Sequence, residues 1–251
     1  MFSEGSVVLV HAFPLNAALW RAQIDRAPTG WRFLTPELPG FGRSRLEPAR
    51  TMDDMARAVL DAMDEERVER AVIGGLSMGG YVTFALYRLA PERFSGMILA
   101  DTRATADSEQ QREGRRRMIE SVRARGSSAA ADEMLPKLLG ETSHRDRPEL
   151  ASKVRTMIER NSPEPIAGAL EAMMGRADSR PLLPRISVPA LVLCGDEDVL
   201  TPPADSQALH DSIPGSRLAM IEKAGHLSNL EAPDQFSFAL NSFLGELPAS
   251  R

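Results

Sequence analysis

Two periodicities alternate along this chain. Short apolar runs occupy residues 7–10, 33–35, 71–74, 97–100, 190–194 and 218–221. Several are apolar at every position rather than at every second one, which predicts strands buried on both faces of a parallel sheet. Between them lie longer stretches with apolar side chains at helical spacing. In 52–66 those positions are Met52, Met55, Ala56, Val59, Leu60 and Met63, the stripe of an amphipathic helix. Residues 80–89, 204–212 and 234–247 repeat the pattern, the last with Phe236, Leu240, Phe243 and Leu244 on one face. Strand–helix alternation of this kind implies right-handed crossovers and an α/β fold, a mostly parallel sheet flanked by helices.

Residues 105–185 break the alternation. They show no strand pattern and four helical ones, with apolar positions at Met118, Ile119 and Val122; Met134, Leu135, Leu138 and Leu139; Val154, Met157 and Ile158; and Ile166, Leu170, Met173 and Met174. The expectation is a helical cap (lid) at 105–185, inserted between two late strands of a core made of 1–104 and 186–251. A plain extra helical layer would show the same spacing, but a break between two sheet strands favours a lid. Methionines in such a layer suit a deformable apolar pocket. The run Arg115-Arg116-Arg117, with acids close by in sequence, reads as a solvated helix face.

Composition narrows the partners. At 251 residues the chain suits one sizeable domain with an insertion, and 43% apolar with 26% charged residues is the profile of an ordinary globular protein. A net charge of −5 argues against nucleic acid or an anionic membrane as the main partner. No run approaches the ~18 consecutive apolar residues of a membrane span. The N-terminal residues Met1-Phe2-Ser3-Glu4-Gly5 carry no basic region and no small-residue cleavage site, so a cytoplasmic location is expected. The single Cys194 lies in an apolar run and reads as a buried, inert thiol. The sequence leaves a homodimer open.

The candidate chemistry centres on Gly75-Leu76-Ser77-Met78-Gly79, which follows an apolar run and opens into a helical pattern. Between a strand and a helix, G-x-S-x-G describes a nucleophile elbow, a turn so sharp that the serine is held strained with its Oγ exposed. The flanking glycines are required because a Cβ would collide with the adjoining strand and helix. A serine hydroxyl needs a base, usually a histidine held by a carboxylate. Of four histidines, His144 sits among polar residues of the insertion, His210 lies within a helix and His11 ends the first strand. His226, in Gly225-His226-Leu227, follows the last strand, where an open α/β sheet presents its site.

Three acids lie between Ser77 and His226 at strand ends: Asp198, Asp196 and Asp101. Asp198 is the preferred partner. Asp196 sits nearer the strand end and suits a loop brace, and Asp101 is the structural alternative, its strand lying beside the elbow. An oxyanion hole needs two backbone N–H groups, one expected from Met78, directly after the nucleophile. The other is expected from the loop after the first strand, where Pro14 has no N–H and Phe13 is the better donor.

These motifs together resemble the α/β-hydrolase family. The resemblance spans His11-Ala12-Phe13-Pro14, Pro39-Gly40-Phe41-Gly42-Arg43-Ser44, the Gly75–Gly80 stretch, residues 195–202, and Gly225-His226 with Glu231-Ala232-Pro233. It is greatest for the small bacterial group of carboxylesterases, 3-oxoadipate enol-lactonases and cofactor-free haloperoxidases or perhydrolases. In that group the acid falls at the position of Asp198 and the second oxyanion donor at that of Phe13. Ala12 departs from the glycine usual there, and the family's N-terminal hairpin is expected to be absent or shortened. Serine at 77 argues against the dehalogenase and epoxide hydrolase chemistry of members with aspartate there. The resemblance implies acyl transfer from a small ester or lactone to water, with no metal and no organic cofactor. No dedicated basic cluster for a dicarboxylate is evident, which weakens a strict enol-lactonase reading, although arginines are plentiful and any in the insertion could reach the pocket. Perhydrolase activity, a hydroxynitrile lyase-type reaction and a non-catalytic ligand receptor of the same fold are the alternatives.

Overall fold

The computed structural model describes residues 5–247. The N-terminal hairpin question falls on residues 1–4, outside the described residues. In chain order the elements are β1 (Gly5–Val10), α1 (Arg21–Asp25), β2 (Trp31–Leu34), α2 (Met52–Glu65), β3 (Ala71–Leu76), α3 (Met78–Leu89) and β4 (Phe94–Ala100). Then come α4 (Glu109–Arg125), α5 (Ser127–Leu138), α6 (Glu141–Asp146), α7 (Pro148–Glu159) and α8 (Pro163–Met174). The chain closes with β5 (Ala190–Gly195), α9 (Pro203–Ser212), β6 (Arg217–Ile221), α10 (Ser228–Glu231) and α11 (Pro233–Glu246).

The six strands form one sheet in the order β2-β1-β3-β4-β5-β6, every pair parallel. The uninterrupted apolar runs are the interior strands: β3 and β5 are buried at every residue, while the edge strands β2 and β6 are largely part-exposed. That is why the interior runs lack alternation. β2 starts two residues before its apolar run because Trp31 and Arg32 pair with Gly5 and Ser6 of β1.

From β1 the chain steps to β2 on one side and then to β3 on the other. The order therefore reverses between β1 and β3, and the crevice at their C-terminal ends is where such sheets bind ligands. Ser77 and the loop beginning at His11 both emerge there.

Helices α4 to α8 fall between β4 and β5 and pack largely on one another, α4 on α8 and α5, α5 on α7. Four carry the anticipated apolar stripes, and the fifth, α6, reads Glu-Thr-Ser-His-Arg-Asp. Six residues with no apolar side chain give no periodicity to detect. Among the described residues no helix is long and apolar enough to cross a membrane.

Candidate active site

β3 ends at Leu76 and α3 begins at Met78, so Ser77 makes the turn alone, at φ 57° and ψ −112°. That backbone is strained for a residue with a side chain, at a typical cost of about 1–3 kcal/mol. Packing enforces it. A Cβ on Gly75 would lie 2.5 Å from the Gly79 carbonyl carbon, and one on Gly79 would lie 2.2 Å from the Val10 carbonyl oxygen. Only glycines let α3 start this close to β1 and β3. The backbone is held without the serine side chain: Ser77 N–H donates to Ala100 O at 2.9 Å, and Ser77 O accepts from Thr102 Oγ1 at 2.8 Å.

Three of the predicted side chains converge. Ser77 Oγ lies 2.8 Å from His226 Nε2, and His226 Nδ1 lies 2.8 Å from Asp198 Oδ2. His226 and Asp198 are buried. Asp198 Oδ1 accepts the N–H groups of Leu200 (2.8 Å) and Thr201 (3.0 Å), and the Thr201 hydroxyl donates to Oδ2 at 2.6 Å. Burial opposes the Asp198 charge. The facing imidazole, when charged, and the hydrogen bonds from His226 and Thr201 outweigh it and hold this carboxyl below its ordinary range.

The other two acids are brought elsewhere. Asp196 accepts Ala224 N–H at 3.3 Å, bracing the loop that carries His226. Asp101 is buried, accepts Gly195 N–H at 2.9 Å and the Ser228 hydroxyl at 2.5 Å, and has no hydrogen bond to His226. Burial, with the Asp198 charge nearby, pushes its pKa well up. Of the expected oxyanion donors, Phe13 is buried beside Ser77 in the cavity wall and Met78 follows the serine at the helix start. Among the described residues neither N–H donates to a protein acceptor.

Asp101, Cys194 and Asp198 place possible ligand atoms within 4.8 Å of one another. Their chemistry does not suit a metal. Both carboxylates are committed to the hydrogen bonds just given, and burial pushes the Cys194 thiol up to about 12, so no thiolate is presented.

His11 is fully buried; its Nδ1–H donates to Ala12 O at 3.1 Å, and its Nε2 accepts Leu38 N–H at 3.1 Å. The neutral ring thus anchors the loop that carries Phe13. Burial, partly offset by the Ala12 bond, lowers its pKa from 6.5 to about 4. Unfolded chain binds this proton below about pH 6.5 and folded chain only below about pH 4, so stability falls as pH drops through that window. The full loss is about 3 kcal/mol. Urea denaturation at about pH 7 and about pH 4.5 measures it, and His11→Gln is expected to flatten that part of the dependence.

Several residues at the site carry no sequence signal of the contacts they make. Thr201, three positions after Asp198, hydrogen bonds the acid and lies 3.2 Å from His226 Nδ1. Glu231 is buried and accepts the N–H groups of Gly225 (2.9 Å) and Leu227 (3.2 Å), on either side of His226, and of Gly140 (2.8 Å) at the end of α5. Asn161 accepts Gly42 N–H at 2.9 Å and donates to Pro14 O at 2.9 Å, tying the α7 end to the Phe13 loop.

Above Ser77 lies a cavity of about 240 Å³ lined by core residues and by α4, α5 and α8. Four cationic side chains reach its wall, Arg103, Arg115, Lys137 and Arg176, against the acids Asp107 and Glu133. The sequence shows no dedicated basic cluster but leaves arginines of the insertion able to reach the pocket, as Arg115 and Arg176 do; Arg115 departs from the solvated face expected for it. Arg115 pairs with buried Asp107 at 2.6 Å, as does Arg176, also at 2.6 Å. Burial works against the Asp107 charge, and the two guanidiniums hold its carboxyl below the ordinary range. The signal was present: positions 115, 118, 119 and 122 form one helical stripe. Arg116 and Arg117 are on the outer face, pairing with Glu113.

Comparison with known proteins fits this geometry. The 3-oxoadipate enol-lactonase 2 of Acinetobacter baylyi is 30% identical over 241 residues, 95% of this chain and 88% of that protein. A thermophilic esterase from Thermogutta terrifontis, solved with malate bound, superposes with a TM-score of 0.95 at 40% identity, covering 98% of this chain and 92% of that one. An enol-lactonase from Burkholderia xenovorans gives 0.88 at 29% identity, covering 96% and 92%. The family profile described as alpha/beta hydrolase fold matches residues 5–233. By its parallel sheet, its strained serine turn and these matches, the chain belongs to the α/β-hydrolase family, with enol-lactonases and esterases among its relatives.

Proposed function

We propose that this chain is a carboxylic ester hydrolase that cleaves a small ester or lactone through an acyl-enzyme on Ser77. The observation that carries the reading is the 2.8 Å plus 2.8 Å hydrogen-bond chain from Ser77 through His226 to Asp198. His226 Nε2 takes the proton from Ser77 Oγ as the oxygen attacks the carbonyl carbon. The N–H groups of Phe13 and Met78 stabilise the oxyanion, each such donor contributing typically about 3 kcal/mol. Asp198 keeps the proton on Nδ1 and stabilises the imidazolium. As the carbonyl reforms, the acyl–oxygen bond breaks and His226 protonates the leaving alkoxide. The same nitrogen then deprotonates a water, which attacks the acyl-enzyme and releases the carboxylic acid with Ser77 restored. Residues 105–185 act as the cap of this site, and Arg147 and Glu231 help seat it on the histidine loop.

A cavity of about 240 Å³ is below the ~300–1,000 Å³ of drug-sized ligand pockets, which favours short substrates. The cationic wall supports a second reading, a lactone or ester that carries a carboxylate. Lys137 makes no salt bridge among the described residues, so its ammonium is available to such a group. A fluorophosphonate probe is expected to label Ser77 promptly, with turnover of p-nitrophenyl butyrate. Failure of both would leave the ligand-receptor reading standing. A panel of an aryl ester, an uncharged lactone and a carboxylate-bearing enol-lactone separates the two substrate readings by kcat/KM.

A further inference from the structure

A second cavity, of about 650 Å³, lies beside the one above Ser77. The two share Tyr81, Arg103 and Arg176 among their lining residues. Those three residues border both cavities, so the two adjoin there. Tyr81 follows Ser77 by one turn of α3, and helical side chains lean toward the N-terminus, so its ring lies back toward the serine.

This border is firmly built. The Arg176 guanidinium lies over the Tyr81 ring, 4.1 Å from its centroid. It also donates to Asp107 Oδ1 at 2.6 Å, Thr105 O at 2.8 Å and Met173 O at 3.0 Å. Arg103 donates to Leu200 O and pairs with Asp205 at 3.3 Å. Beyond these residues the larger cavity has a mixed lining, with Met52, Phe84, Ala172 and Leu182 beside charged side chains such as Asp53 and Arg88. A chain that outgrew the smaller cavity would find apolar contacts there, but only by displacing a stacked, ion-paired side chain.

We propose that the Tyr81–Arg176 stack is a partition that sets the substrate chain length the enzyme accepts. It closes the Ser77 cavity at short chains, and its removal joins the two cavities into one site for long-chain esters. Tyr81 and Arg176 are thereby specificity-determining residues. The inference rests on the ester hydrolase reading of Ser77.

The test measures kcat/KM for two ester series with Tyr81→Ala. One varies the acyl group of p-nitrophenyl esters from butyrate to dodecanoate, and the other varies the alcohol of butyrate esters from methyl to octyl. The expected result is a long-to-short ratio raised about tenfold or more in one series, since each added buried methylene favours binding. Tyr81→Phe keeps the ring and is expected to keep the wild-type ratio. Ala177, exposed on the wall of the larger cavity, provides the reversal. Adding Ala177→Trp to Tyr81→Ala should fill the joined space and take the gain away. An unchanged ratio in both series overturns the proposal. So does an equal rise in Tyr81→Phe, a gain that survives Ala177→Trp, or a wild type as fast on dodecanoate as on butyrate. Tyr81→Leu is read in the same way if the alanine variant does not fold. Absence of labelling and of butyrate turnover in the wild type would instead remove the hydrolase reading itself.

Discussion

Replacing Ser77 with alanine is expected to lower kcat/KM for p-nitrophenyl butyrate by about 10⁴-fold or more while the protein stays folded. In the proposed mechanism the loss is large because the residue supplies the bond-forming oxygen, and water cannot occupy its strained position with the same orientation. The fold survives because the turn is held by backbone bonds to Ala100 and Thr102 and by the Gly75 and Gly79 contacts, none of which uses Oγ. The one side-chain bond lost is that to His226. Steady-state kinetics and a melting curve on the same preparation check both halves. Retention of a substantial fraction of activity would remove Ser77 from the mechanism.

The second large effect distinguishes the acids. Asp198→Asn is expected to reduce kcat by about 10⁴-fold, with Asp101→Asn costing only a few fold. Oδ1 of Asp198 receives the N–H groups of Leu200 and Thr201, so an asparagine would keep its oxygen there. Its NH₂ would then face His226 Nδ1, forcing the proton onto Nε2, the nitrogen that accepts from Ser77 in the proposed mechanism. At Asp101 the carboxyl meets one backbone N–H and the Ser228 hydroxyl, which can reverse its donor role toward an amide. Burial already favours the neutral form of that carboxyl. Equal losses in both variants would mean that Asp101 shares the task assigned to Asp198.

How legible the site was depended on how local each signal is. The elbow needs only five consecutive residues, because its constraint is the collision of nearby Cβ atoms with the adjoining strand and helix. The acid was narrower than a guess yet not unique. Three aspartates sit at strand ends, and choosing among them depends on where β4, β5 and the histidine loop lie relative to one another. Thr201 was hidden because one threonine hydroxyl looks like any other until a carboxylate is placed beside it. Glu231 stood within a recognised motif, but its three backbone donors come from Gly140, Gly225 and Leu227, up to 91 residues away. α6 was invisible for the opposite reason, having no apolar stripe to count.

By itself the sequence determined the strand–helix alternation, the interior position of the uniformly apolar strands, the serine turn and the histidine most able to serve it. These follow from backbone sterics and periodic burial, which act over a few residues. Only the tertiary structure decided which acid faces His226, that Arg115 turns inward to Asp107, and that Tyr81 and Arg176 line both cavities. Each of those depends on side chains from distant segments meeting across the strand order β2-β1-β3-β4-β5-β6 and beneath helices α4 to α8. Such meetings are set by how the layers pack, and packing couples every element at once, so no short stretch of sequence carries them.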